Sequence, residues 1–162
     1  MASTSYLARI IWKEHSDSET SFAGTYQLLL AAKTIPSPVS PPNTVESTTL
    51  EDDTQTFEAG IKTSSSREVT GNLSKDDLDA IDAKQGTKLD IMHLYGTDGV
   101  GGVAKYAYVG EVVATPSDVG GVDSILEMTA TIVPNTVATK VTDAYTVTYN
   151  SANKTFTVAA AT

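Results

Sequence analysis

Over most of this chain apolar and polar positions alternate, and the alternating runs are broken at short intervals by Gly, Asn, Asp, Ser and Pro. A period of two with frequent turn residues predicts strands. "SYLARIIWK" (5–13) and "TYQLLLAAK" (25–33) read as two strands joined by the polar turn "HSDSETSFAG", with helix an open alternative for the second because residues 28–32 are all apolar. Short strands are expected at "TVESTTL" (44–50) and "QTFEAGIK" (55–62), and longer ones at "KLDIMHLYG" (88–96) and "AKYAYVGEVVA" (104–114) on either side of "GTDGVGG". "AYTVTYNSANKTFTVAAAT" reads as a hairpin turning at "NSANK". The clearest alternation is "SILEMTATIV" (124–133). Leu126, Met128, Ala130 and Ile132 share one face and belong to a core, while Ile125, Glu127, Thr129, Thr131 and Val133 form a semi-polar, wetted face.

One segment breaks the period. "NLSKDDLDAIDAKQG" (72–86) predicts the only clear helix. Ser74 is placed to cap it with Asp77 at N3, Leu73 to staple onto Leu78, and Gly86 to end it. Asp76 and Asp77 favour the positive end of its dipole and Lys84 the other. Leu78 and Ile81 make a narrow apolar stripe, so the helix is expected to pack on a sheet with its acids in solvent.

With 162 residues, 40% of them hydrophobic and 19% charged, the chain can bury a core as one domain, 1–162. Cysteine is absent, which removes disulfides and thiolate metal sites. No apolar run reaches the roughly 20 residues of a membrane span, and "MASTSYLARIIWKEH" does not read as a signal peptide, so a cytosolic origin is expected. The sequons at Asn72 and Asn153 are then chance matches. The net charge of −9 is concentrated. Residues 34–61 hold five acids and no base, and residues 106–139 hold four acids and no base. A one-signed block gives a surface its own field, and without a basic stripe ordinary nucleic-acid binding is disfavoured.

Candidate chemistry is thin. "GTDGVGG" lacks the Lys-Ser/Thr ending of a phosphate loop and precedes a strand, so it reads as a hairpin turn. His15 and His93 show no ligand spacing and no acid partner, which leaves no metal site and reads as ordinary surface or core histidine. "DDLDAID" (76–82) lacks the pattern of a calcium loop, and "LEDD" (50–53) reads as electrostatic surface. No serine sits in a nucleophile elbow, so no enzyme and no cofactor is expected.

The order of these segments carries a resemblance. "LLLAAKTIPSPVSPPNTVESTTLEDDTQTFEAGIKTS", the helix "SKDDLDAIDAKQG", a hairpin ending in "YVGEVV", and "GGVDSILEMTATIVPNT" together resemble the major tail proteins, or tail tube proteins, of long noncontractile-tailed phages of Gram-positive bacteria. The likeness spans residues 25–136. It implies a mainly β fold, sandwich or barrel-like, with one flanking helix, assembling as hexameric rings stacked into the tube through which DNA is ejected. The purified protein is expected to be monomeric when dilute, with strand edges left open that a ring would pair. The partners it implies are other copies of the chain, a tape measure protein in the lumen, and a tail terminator and baseplate or distal tail proteins at the ends. Viral DNA passes without specific binding, no membrane is involved, and the location is the virion tail, assembled in the host cytoplasm. Secretion-type tubes have a similar fold, and a monomeric cell-surface β-sandwich binding module is the alternative from another class.

On this reading the proline-rich loop at 34–46, with Pro36, Pro38, Pro41, Pro42, Asn43 and Thr44, and the acids Glu51, Asp52 and Asp53 serve ring stacking and inter-subunit contact. The loop is expected to be mobile in the free subunit, so that removing residues 36–42 would leave the fold intact. Glu127, Thr129, Thr131 and Glu111 are expected to face the lumen, with Asp52 or Asp53 as further candidates. A negative wall would repel DNA over a Debye length of about 8 Å.

Overall fold

A computed structural model describes residues 2–62 and 64–161. Met1, Thr63 and Thr162, the last being the end of the expected C-terminal hairpin, lie outside the described residues. The elements in order are β1 (Arg9–Glu14), β2 (Gly24–Leu28), β3 (Ala32–Thr34), β4 (Thr44–Glu46), β5 (Phe57–Ala59), β6 (Arg67–Asn72), α1 (Lys75–Ala83), β7 (Leu89–Tyr95), β8 (Ala104–Pro116), β9 (Glu127–Pro134), β10 (Thr139–Lys140), β11 (Tyr145–Asn150) and β12 (Thr155–Ala160). The fold is mainly β with one helix, as the alternation predicts.

Ten strands form one antiparallel sheet in the order β11-β12-β2-β1-β7-β8-β9-β6-β3, with β10 pairing on β8. β2 and β3 lie on opposite sides of five intervening strands, yet only residues 29–31 connect them. Four residue steps span at most about 14 Å, so the sheet must curl until its far parts meet. The two apolar clusters follow from that curl. Ile10, Trp12, Leu89, Ile91, Tyr108, Val112, Met128, Ala130 and Ile132 alternate onto the inner side and pack with Leu29, Leu30 and Ile81 of α1. Ile11, Met92, Leu94 and Ala107, of opposite parity, are covered from outside by Tyr26, Val147, Phe156 and Val158 as β12 and β11 continue the sheet past β2. β1 and β7 are therefore buried on both faces, which is why "RIIW" and "LDIMHL" run apolar almost without a break.

Several expectations are corrected. The apolar run of the second segment is not a helix; it leaves the β2 ladder at Leu28 and crosses to the opposite edge, passing so close to β6 that a Cβ on Gly71 would strike the Ala31 carbonyl. The helix is shorter than 72–86. Ser74 is its N-cap with extended backbone, but the side chain makes no capping hydrogen bond. Lys84 pairs with Glu14 of β1 at 2.8 Å instead of acting only on the dipole. Leu73 and Leu78 do pack on the inner cluster beside Ile81. Leu126 is exposed, because β9 begins only at Glu127 and Leu126 lies before the ladder that buries Met128.

Candidate functional site

Residues 35–43, which hold the four clustered prolines, divide into two parts. Ile35 packs on the inner cluster and Pro38 is buried. Arg67, 6% exposed at the start of β6, donates from Nε to the Ser37 carbonyl at 2.9 Å and from Nη2 to the Pro38 carbonyl. Its guanidinium also stands over the Tyr108 ring. Two prolines with fixed φ and no N–H to satisfy thus lie against the body, Pro38 buried and Pro36 half-buried. This packing argues against the expectation that residues 36–42 are dispensable for folding. Pro41, Pro42, Asn43 and Thr44 are exposed and lead away from the sheet.

Beyond them stands an arm. β4 and β5 pair only with each other, with Thr44 opposite Ala59 and Glu46 opposite Phe57. Backbone bonds extend the ribbon at both ends, from Asn43 N to the Ile61 carbonyl at 3.2 Å and from Ser47 N to the Thr56 carbonyl at 2.9 Å. At the tip the Asp52 carboxylate accepts from the Thr49 N–H at 2.7 Å and from its hydroxyl at 3.1 Å. Asp52 thus shapes the turn, whereas Glu51 and Asp53 are exposed. Val45, Phe57, Ile61 (83% exposed) and Leu50 (104%) are also bare. A two-stranded ribbon is marginal by itself, and apolar residues gathered on one protrusion mark a contact surface more than scattered exposed residues do.

A second surface lies on the outer side of the sheet. Where the C-terminal hairpin stops covering it, Glu111, Val113 and Thr115 of β8 stand opposite Val133, Thr131 and Thr129 of β9. Glu68, Thr70 and Asn72 of β6 continue that face opposite Thr131, Thr129 and Glu127. Glu127, Thr129, Thr131 and Glu111 are therefore brought together on one half-exposed face, turned away from Leu78 and Ile81. Glu127 pairs there with Lys33 of β3. Its charge is partly compensated, contrary to the bare acidic face expected from the lack of lysine in residues 106–139.

Both histidines have partners that the sequence did not disclose. His15 Nδ1 lies 2.8 Å from Asp90 Oδ1 and 3.4 Å from Glu19, and Lys13 Nζ lies 2.9 Å from Asp90 Oδ2 and contacts Glu19. The reading that neither histidine has an acid partner is corrected. Burial raises the Asp90 carboxyl, and its hydrogen bond to Glu19 adds to that rise. Burial also opposes ionisation of Glu19, but bonds from Asp90 and the Lys13 ammonium prevail and hold it at about 2. His15, Glu19 and Asp90 have metal-ligand chemistry. The Lys13 ammonium, however, already sits between the two carboxylates, so the group reads as a charge-balanced staple tying residues 15–19 to β7. His93 is fully buried, with Nε2 2.9 Å from the Tyr108 hydroxyl.

"GTDGVGG" is a hairpin turn between β7 and β8. Gly99 and Gly101 take φ of +77°, and Asp98 accepts the N–H groups of Val100 and Gly102 at 3.1 Å. Two of its amides are thereby engaged by the chain's own carboxylate, which opposes an anion there. Among the described residues no helix is long and apolar enough to cross a membrane. No protein-family model matches the chain, and no curated protein matches it.

Proposed function

We propose that this chain is the subunit of a noncontractile phage tail tube, stacking as hexameric rings into a conduit for DNA. The observation that carries the reading is the arm of residues 43–61. It extends from the body, bares Val45, Leu50, Phe57 and Ile61, and is acidic throughout. A subunit that reaches its neighbours needs such an element, and one that works alone leaves this apolar surface in water without return. The ordered segment at the arm's base lowers the entropy lost on docking. Two further features agree with assembly. β11 offers the edge of the sheet at one end, and β3 the other, as free backbone donors and acceptors for neighbouring subunits. The semi-polar outer face around Thr129 and Thr131 suits a wetted wall.

Negative-stain electron microscopy of the purified protein over a concentration series tests the proposal. Rings or tubes of uniform width are expected at high concentration. Dispersed globular particles at every concentration would favour the monomeric binding module.

A further inference from the structure

At the root of the arm lies a small cleft of about 130 Å³ lined by Pro38, Ser40, Lys62, Ser64, Arg67 and Val137 among others. We propose that this cleft is a carboxylate-binding pocket, and that its occupant is the acidic arm tip, Glu51 and Asp53, of a second copy of this chain. The proposal rests on the assembly reading above.

Arg67 is the first reason. It is nine-tenths buried and permanently charged, yet none of the described ion pairs includes it. Two of its nitrogens are taken by the Ser37 and Pro38 carbonyls, and Nη1 is buried without a hydrogen-bond partner. A buried cation without counter-charge is costly to a fold, and a carboxylate arriving in the cleft beside it relieves that cost through its charge. Lys62, which enters none of the described ion pairs, adds a second positive charge at the exposed side of the cleft, and the Ser40 and Ser64 hydroxyls are further donors.

The arm tip supplies the complementary set. Glu51 and Asp53 are exposed, and no described cation pairs with them, whereas Asp52 is engaged by Thr49. Within one chain the two sets cannot meet. The ladder from Asn43–Ile61 to Ser47–Thr56 is hydrogen-bonded along its length, which holds the tip roughly 14 Å or more from the root at about 3.4 Å per residue. The tip of one copy can therefore fill only the root pocket of another. Such a contact joins unlike surfaces, so it repeats from subunit to subunit and closes into a ring or propagates as a filament.

Charge reversal and cross-linking test this. Lys62→Glu, and separately Glu51→Lys with Asp53→Lys, change only exposed residues and should each raise the critical concentration for assembly about tenfold or more. Combining them should restore it to within a few-fold of the original. Carbodiimide cross-linking of an assembled mixture of ¹⁴N- and ¹⁵N-labelled protein should join Lys62 to Glu51 or Asp53 in peptides that carry both labels. Tubes that form without this cross-link and ignore the reversals overturn the pocket and leave the assembly reading standing. A wild-type chain that never assembles overturns both. If acetate shifts the Lys62 and Ser64 amide resonances while the cross-link is absent, the pocket takes a free carboxylate and the second-copy occupant is wrong.

Discussion

His93 stands in the middle of β7 with no exposed surface, its Nε2 against the Tyr108 hydroxyl and the Arg67 charge nearby. Burial first, and the Arg67 charge second, lower its pKa from 6.5 to about 3. The folded state therefore refuses a proton that the unfolded chain accepts. The neutral ring's contribution is complete above pH 6.5 and is lost as pH falls from 6.5 toward 3, at a slope of up to about 1.4 kcal/mol per pH unit. Urea unfolding at pH 7, 6, 5 and 4 should show the midpoint falling steadily, and His93→Gln should flatten the fall between pH 6 and 4. Equal midpoints for the wild type across that range would mean the ring is not buried as described. The sequence held a clue at this scale. In "LDIMHL" both parities are apolar, which marks a strand covered on both faces, so Asp90 and His93 had to be buried and in need of polar partners. The identities of those partners, Lys13, His15, Glu19 and Tyr108, come from loops and strands distant in sequence, and no spacing rule reaches them. Arg67 was hidden more deeply, since a charged residue at the start of a strand is ordinarily solvated.

At the scale of elements, local pattern and topology differ in how far they can be read. Helix α1, the β7–β8 turn and the core face of β9 from Met128 onward were legible because each depends on residues within one or two turns of itself. The crossing of residues 29–31 was not, because an apolar run fits helix, strand or buried connection equally, and only the curl of the whole sheet selects the last. The proline-rich segment shows the same limit. Proline announces an extended chain, but whether that chain lies against the body depends on Arg67, some thirty residues later. That division redirects the test of the arm. Removing residues 36–42 would strip Pro38 and the carbonyls that Arg67 holds, so it should destabilise the body. Replacing residues 47–56 with Asn-Gly, which closes a two-residue hairpin across Glu46 and Phe57, removes only the arm's outer part, exposed but for the half-buried Thr48. This variant should melt within a few degrees of the wild type by circular dichroism and form no tubes in the microscope. Normal tubes from it would dismiss the arm as an assembly element.

For the whole molecule, under the tail-tube proposal, the distribution of charge decides which surface can face DNA. All five acids of residues 34–61 stand on the arm, where docking would consume them, so they are poor candidates for a lining. The second acidic block divides between the loop holding Asp118 and Asp123 and the open sheet face holding Glu111 and Glu127. If that face lines the bore, a ring of six repeats each carboxylate as a circle of like charge at every layer. Water and salt in a wide bore screen the mutual repulsion, while DNA, with one charge per roughly 1.7 Å, still meets a wall whose Lys33 is already engaged by Glu127. Glu127 contributes little to that wall, since Lys33 lies beside it and an exposed pair of this kind is worth at most about 1 kcal/mol to stability. Glu111 has no such neighbour among the described ion pairs. The two positions should therefore separate in function. Glu111→Lys and Glu127→Lys should both fold and assemble, because neither side chain enters the inner core. In particles carrying the variant tubes, Glu111→Lys should slow DNA release more than Glu127→Lys, and raising the salt should shrink the difference. A reconstruction of the tube at side-chain resolution gives the independent check. With Glu111, Thr129 and Thr131 on the bore the assignment stands, and with that face on the outer wall it fails, whatever the release rates show.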